Sequence, residues 1–178
     1  MQADLTTSPV ALTRRTLVVA DWKTDPHEVI AACASRPEAQ HLRIALVVPA
    51  MLHGIDWVGD PYANVPCARR AVDELTELFH AAGITVVSAA VGNHDPVAAA
   101  IDATLSEPPE QILVCGVKRR IKLLDVGHRV RRATRLPVLS VPVSPANRRG
   151  RGWLRLQRGE CEMTMPQRVS RVSRPAPV

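Results

Sequence analysis

Aromatic residues are scarce in this sequence, since Phe, Trp and Tyr together make up 3% of its 178 residues. A protein that binds single-stranded nucleic acid by base stacking needs several exposed aromatic side chains, so we interpret Trp57 and Tyr62 as packing residues. The four cysteines form no CxxC pair, and no histidine is spaced to complete a zinc site. Neither a disulfide framework nor a zinc-binding module is indicated.

Long apolar segments are also absent. No stretch approaches the roughly 18 uncharged apolar residues of a membrane-spanning helix, and no apolar segment follows a basic start at the N-terminus. We expect a cytoplasmic protein that does not interact with membranes. With 46% hydrophobic residues, the chain can bury one core. We predict a flexible N-terminal arm over 1–13, one folded domain over 14–143 and a largely irregular, Arg-rich tail over 144–178.

Recognisable catalytic constellations are missing as well. Ser88, Ser140 and the cysteines have no adjacent histidine or nucleophile-elbow motif, and there is neither a carboxylate pair nor a Walker lysine. His94 and Asp95 invite comparison with metal sites, but an aspartate directly before a proline is explained by helix capping. We therefore expect a protein that is not an enzyme and holds no metal ion.

The net charge of +6 is unevenly distributed along the chain. Residues 1–143 contain equal numbers of basic and acidic residues, whereas 144–178 carry eight arginines and two glutamates. Within the balanced part, residues 118–135 hold eight basic residues against Asp125 alone. The rest of that part must then be acidic, so we predict a polarised fold with one positive region.

Five short apolar runs rich in Val, Ile and Leu do not alternate with polar residues, which is typical of strands buried on both faces of a parallel sheet. The runs are 17–20, 44–48, 84–89, 112–115 and 138–141. Helical patterns lie between them, with a long loop over 49–66. The resulting order predicts an α/β fold, a five-stranded, doubly wound parallel sheet with helices on both faces.

The helices have recognisable starts and stops. Asp25 and Asp95 each precede a proline, a combination that supplies an N-cap and a first helical residue. After Asp95, the spacing of Val97, Ile101 and Leu105 predicts the apolar face of a helix. Apolar spacing also predicts a helix over 67–82 that Gly83 ends. A shorter, basic helix is expected at about 127–134.

The element order and the strand ends resemble the universal stress protein family over residues 14–143. Asp21 ends the first strand, where that family has an aspartate; "VGNHDPVAAAIDATL" is similar to the start of its third helix, and "LPVLSVPV" to its closing "CPVLVV" strand. The resemblance implies the fold of universal stress proteins and adenine nucleotide alpha hydrolases, and a non-enzymatic, regulatory role in the stress response. It also implies a homodimer that pairs through the last strand, 138–143.

ATP-binding members of this family carry G-x2-G-x9-G-[S/T] after the fourth strand, where glycines let backbone N–H groups approach the phosphates at a helix N-terminus. Here Gly116 matches the first position, and Arg119 replaces the second glycine. Gly127 comes two residues early and is followed by His128. The resemblance therefore implies a degenerate ATP-binding loop that is shorter and more charged than the family pattern.

A ligand site is expected where the winding of the sheet reverses, outside the carboxyl ends of the strands. The family's strand order puts this point between the first and fourth strands. An adenine nucleotide or another phosphate-bearing ligand could bind there weakly, with Asp21 accepting from a ribose hydroxyl, Val48 offering backbone to a base, and basic side chains neutralising phosphates. The predicted site comprises Asp21, Val48, Gly116, Lys118, Arg119, Arg120, Gly127 and His128.

A second hypothesis uses the positive region for nucleic acid. The tail arginines, interspersed with Gly and Pro, suit contacts to phosphates and folding upon binding. The protein would then be an RNA- or ribosome-associated stress factor. The residues predicted to contact nucleic acid are Lys122, Arg129, Arg131, Arg132, Arg135, Arg148, Arg149 and Arg151.

Overall fold

The computed structural model describes residues 14–36, 42–52, 60, 62–116 and 125–146. Strands and helices alternate along these residues in the order predicted from the apolar runs. They are β1 (Arg14–Ala20), α1 (Pro26–Ala34), β2 (Leu42–Pro49), α2 (Val65–Ala81), β3 (Thr85–Gly92), α3 (Pro96–Ser106), β4 (Gln111–Gly116), α4 (Val126–Thr134) and β5 (Val138–Pro142).

The five strands form one parallel sheet in the order β3-β2-β1-β4-β5. The chain winds outward from β1 to the edge strand β3, then returns across the sheet to β4 beside β1. The direction of winding therefore reverses between β1 and β4, whose carboxyl ends are aligned by the pairing of Ala20 with Cys115. The predicted five-stranded, doubly wound α/β architecture is confirmed.

Two apolar layers cover the sheet. On one face, α1 and α2 contribute Val29, Leu75 and Phe79 to a core with β-strand residues. On the other face, α3 and α4 contribute Ala99 and Val130. Because both faces are covered, the central strands carry apolar side chains at consecutive positions, which explains the uninterrupted runs in the sequence.

Side-chain caps fix where three of the helices begin. In each case an aspartate side chain accepts a hydrogen bond from the N–H two residues later, as expected of an N-cap. The bonds join Asp25 to His27 (2.9 Å), Asp95 to Val97 (3.1 Å) and Asp125 to Gly127 (3.0 Å). Helix α2 ends before Gly83, whose φ of +73° suits glycine. Among the described residues, no helix combines the length and apolarity needed to cross a bilayer.

The predicted apolar face of α3 is right for Val97, which packs against the core, and wrong for Leu105. Ala99 and Ala100 are buried, whereas Leu105 is 79% exposed. The reason is the close approach of α3 to the sheet: a Cβ added at Gly92 would lie 2.6 Å from the Ala99 Cβ. Only small side chains fit between the helix and the strand at that contact, so alanines are buried there, while Val97 packs at the margin of the core.

Residues 143–146, which we call the clasp, connect the end of β5 to the turn between β1 and α1. Val143 is buried. Thr24 and Pro145 form an isolated antiparallel bridge. The predicted tail therefore begins with three residues that are hydrogen-bonded to the folded part. The clasp bonds run from Val143 N–H to Gly116 O (3.1 Å), Asp25 N–H to Ser144 O (3.0 Å), Ala146 N–H to Lys23 O (2.9 Å) and Ser144 N–H to Glu28 Oε2 (2.7 Å).

Candidate functional site

The carboxyl ends of β1 and β4 bring two of the predicted site residues together. Asp21 directly follows β1, and Gly116 is the last residue of β4. The Asp21 N–H donates to the carbonyl of Cys115, with 3.2 Å between nitrogen and oxygen. This hydrogen bond holds Asp21 next to Gly116 at the point where the winding of the sheet reverses, as predicted from the switch-point rule.

Asp21 also organises the turn that leads to α1. Its Oδ1 accepts from the Lys23 N–H at 2.9 Å. Its carbonyl accepts from the N–H of Thr24 at 3.0 Å and from the Thr24 hydroxyl at 2.6 Å. A carboxylate can accept about four hydrogen bonds, so this structural role is compatible with an additional bond to a ligand.

Gly116 borders open space. A Cβ added there would meet no heavy atom of the described residues within 4 Å, and its φ lies outside the left-handed range. Neither packing nor backbone conformation therefore requires glycine at this position. The missing side chain leaves room at the end of β4, beside Asp21, where a ligand could approach the backbone.

The turn between β1 and α1 holds a cation that the sequence analysis missed. Trp22 is 6% exposed and donates its Nε1 hydrogen to the Met51 carbonyl at 3.3 Å. Asn64 Nδ2 donates to the same carbonyl at 2.9 Å. The Lys23 ammonium lies 4.7 Å from the centroid of the Trp22 ring, a cation–π contact. Only its position could have identified Lys23 from the sequence, because it lies two residues after the aspartate that ends the first strand.

Two other predicted nucleotide contacts have structural roles. Val48 has no exposed surface, so a base could reach its backbone only if neighbouring residues moved. The Gly127 N–H is bound by Asp125, and a Cβ at Gly127 would clash with the Ser140 hydroxyl. Packing of α4 on β5 therefore explains this glycine. Lys118, Arg119 and Arg120 lie outside the described residues.

Helix α4 gathers four of the predicted basic residues on one exposed surface. They are His128, Arg131, Arg132 and Arg135, which line a shallow concavity of about 480 Å³ that we call the basic face. Neither Asp21 nor Gly116 lines this concavity. Arg129 points elsewhere and forms an ion pair with Asp95 at 3.5 Å. Lys122, Arg148, Arg149 and Arg151 lie outside the described residues.

The buried thiols are unsuited to nucleophilic chemistry. Burial raises the pKa of Cys33 to about 12, although Arg36 opposes the shift. The pKa of Cys115 is also raised, mainly by burial and further by the nearby Cys33. Both groups are therefore protonated thiols near neutral pH, and thiols react far more slowly than thiolates. Among the described residues, no group of His, Cys, Asp and Glu side chains could hold a metal ion.

Comparison with known proteins shows similarity at the level of structure. The sequence matches no protein-family model and no curated protein. A universal stress protein family protein from Arabidopsis thaliana with AMP bound has a TM-score of 0.54 at 14% identity, over 74% of this chain and 92% of that chain. A universal stress protein in complex with cAMP has a TM-score of 0.52 at 18% identity, over 74% and 99%.

A universal stress protein from Archaeoglobus fulgidus gives a TM-score of 0.52 at 14% identity, over 71% of this chain and 92% of that chain. These similarities show that the chain has the fold of universal stress proteins, which is the fold that the strand ends and element order predict.

Proposed function

We propose that this chain is a non-enzymatic, regulatory domain of the universal stress type that binds an adenine nucleotide weakly. The observation that carries the proposal is the placement of Asp21 beside the open space at Gly116, where the winding of the sheet reverses. Two solved proteins with this fold hold AMP and cAMP, which supports an adenine nucleotide as the ligand class.

The residues at this point suggest how the nucleotide would be held. Asp21 would accept from a ribose hydroxyl through a charge-assisted hydrogen bond. Lys23 would contribute positive charge next to that carboxylate, and the basic residues 118–120 would neutralise phosphates. Backbone N–H groups would contribute less, because Arg119 replaces a glycine and the Gly127 N–H is bound by Asp125. Binding would therefore be weak and dependent on ionic strength.

The bound nucleotide would act as a regulatory ligand and not as a substrate. The raised pKa values of Cys33 and Cys115 disfavour both as nucleophiles at neutral pH. A ligand that binds only the folded state stabilises that state. The fraction of the protein with nucleotide bound would follow the nucleotide concentration, and a partner that distinguishes the bound from the free protein would respond to it. We also propose that the protein is a homodimer joined through β5.

The test is a thermal-shift and equilibrium-dialysis series with ATP, ADP, AMP and cAMP on the full chain. We expect at least one nucleotide to raise Tm and none to be hydrolysed. Asp21→Asn keeps an oxygen for the Lys23 N–H but removes the charge, so it should weaken binding at least about tenfold. Gly116→Leu should abolish binding by filling the open space.

Gly92→Leu is the matched control for added bulk, because Gly92 also ends a strand but lies against α3. It should lower Tm strongly, whereas Gly116→Leu should leave Tm of the unliganded protein nearly unchanged. The proposal is wrong if no nucleotide binds at millimolar concentration. It is also wrong if Asp21→Asn and Gly116→Leu bind as tightly as the wild type.

A further inference from the structure

The basic face of α4 has no acidic counterpart on its own helix. Residues 126–135 contain four arginines and no Asp or Glu. Among pairs whose two residues both lie in the described part of the chain, the helix forms one ion pair, between Arg129 and Asp95. The other three arginines and His128 are exposed and line the same concavity. Cations near a helix C-terminus interact favourably with the helix dipole, but this interaction is confined to the last turn. It does not explain His128 at the start of the helix.

Arg135 provides an independent observation. It is the one non-glycine residue with positive φ in the described part of the chain, with φ of 59° and ψ of 12°. Its N–H caps the helix by donating to the Arg131 carbonyl at 3.0 Å. Helix α2 is also followed by a left-handed residue, but there the residue is Gly83. An arginine at this position is strained relative to glycine, which indicates that its side chain is needed.

The dimensions of the basic face fit an extended anion better than a single phosphate. His128 and Arg135 are seven residues apart, so their Cα atoms differ by about 10 Å along the helix axis. One strand of duplex nucleic acid carries a phosphate about every 3.4 Å along its axis. The basic face thus spans the rise of about three phosphates, whereas one phosphate could not contact all three arginines, Arg131, Arg132 and Arg135, at once.

Within the described residues, no aromatic side chain on this surface could stack on the bases of a single strand. Of the described aromatic residues, Trp22 is buried, Phe79 is buried on the opposite face of the sheet, and Tyr62 precedes α2. We propose that the basic face of α4 binds the phosphate backbone of double-stranded nucleic acid without sequence preference. This goes beyond the nucleotide site, because the basic face includes neither Asp21 nor Gly116.

The test measures the affinity of the full chain for a fluorescent 20-bp duplex, as RNA and as DNA, from about 50 to 200 mM salt. Arg131→Gln/Arg132→Gln should weaken binding roughly tenfold and reduce the slope of log K against log salt by about 1.8, since each lost phosphate contact contributes about 0.9. The matched control is Arg69→Gln/Arg70→Gln. These are also adjacent, exposed helical arginines, but they lie on α2, with Asp73 and Glu74 one turn away.

Arg135→Gly separates binding from folding. Glycine relieves the left-handed backbone and should raise Tm, while loss of the guanidinium should weaken duplex binding and reduce the salt slope by about 0.9. A purely structural role for the arginines would not produce higher stability together with weaker binding.

Three results would overturn the proposal. The first is an absence of duplex binding at 50 mM salt. The second is an equal loss of affinity in the α2 and α4 double variants. The third is binding of inorganic polyphosphate, but of neither duplex, that depends on Arg131 and Arg132. Asp21→Asn should leave duplex binding unchanged. A failure of the duplex proposal can therefore be distinguished from a failure of the nucleotide proposal.

Discussion

At the scale of single residues, the environment of a side chain decides its chemistry more than its identity does. Cys33 and Cys115 are both about 1% exposed and belong to the same apolar core. Their raised pKa values mean that the folded state keeps both protons after an unfolded chain would have lost them. The core is therefore expected to be sensitive to alkaline conditions.

We predict that the free energy of unfolding falls as pH rises above about 9. Between pH 9, where a thiol of the unfolded chain ionises, and about 12, where Cys33 ionises in the folded state, the unfolded state binds fewer protons. Stability is therefore complete below pH 9 and is lost by about 1.4 kcal/mol per pH unit per thiol. Cys33→Ala should remove one such contribution, as measured by urea denaturation between pH 8 and 11.

Val29→Ala is the control for this experiment, because Val29 is buried on the same helix but does not titrate. It should lower the free energy of unfolding by a similar amount at every pH, about 2–3 kcal/mol. An identical pH slope in the wild type and in Cys33→Ala would contradict the assigned origin of the effect.

Single residues also show where sequence reasoning succeeded and where it could not. The caps at Asp25 and Asp95 were predictable because an aspartate before a proline acts through bonds two residues away. The burial of Val48 and the packing of Gly127 against Ser140 were not, since they depend on residues distant in sequence. The prediction that Tyr62 is a packing residue is wrong, since Tyr62 is 73% exposed. Its exposure also depends on residues distant in sequence.

At the scale of secondary-structure elements, the two edges of the sheet differ. The edge strand β3 has eight residues without charge, whereas β5 has five and is bounded by Pro137 and Pro142. Leu139 on β5 is 49% exposed, at a strand edge that pairing with a second copy would cover. This exposed leucine supports the proposal that β5 pairs with a second copy.

We predict that the wild type sediments as a dimer and that Leu139→Lys sediments as a monomer with an unchanged circular dichroism spectrum. A charge at a paired strand edge disfavours association. Leu105→Lys is the matched control, because Leu105 is exposed on α3 and away from β5. A monomeric wild type would contradict the proposal, and so would a dimer that dissociates on Ala89→Lys of β3 but persists in Leu139→Lys.

The sequence predicted each of the four described helices, three of them by apolar spacing, but not the buried face of each one. On α3, the apolar spacing favours Val97, Ile101 and Leu105, yet alanines face the sheet. The distance between a helix and its sheet is set by contacts such as Ala99 with Gly92, which join residues on different elements. Small residues carry little weight in a hydrophobic pattern, so the sequence does not reveal this close approach.

At the scale of the whole molecule, the fold was predictable because it depends on features that many residues share. Buried strands, capped helices and their order all indicate a doubly wound sheet, and the solved structures with this fold agree. The site was less predictable, because Val48 and Gly127 have packing roles that depend on residues distant in sequence. The clasp was missed entirely, since nothing in its sequence indicates a partner more than 100 residues away.

We predict that the clasp stabilises the whole molecule. A chain ending at Ala146 retains the three hydrogen bonds of residues 144–146, whereas a chain ending at Val143 loses them. Because each such bond contributes about 0.5–1.5 kcal/mol, loss of three bonds should make the shorter chain less stable by about 1.5–4.5 kcal/mol in urea denaturation. Both chains lack the same eight arginines, so net tail charge does not confound the comparison. Equal stability would show that the clasp contributes little.

The clasp has one more consequence, for electrostatic steering. It hydrogen-bonds Ala146 to Lys23, two positions from Asp21, and eight arginines follow Ala146 in the sequence. Positive charge tethered near a site speeds the arrival of anions, and more so in dilute buffer than in concentrated salt. One peptide junction would thus link the ordered sheet to the rate at which the proposed nucleotide arrives.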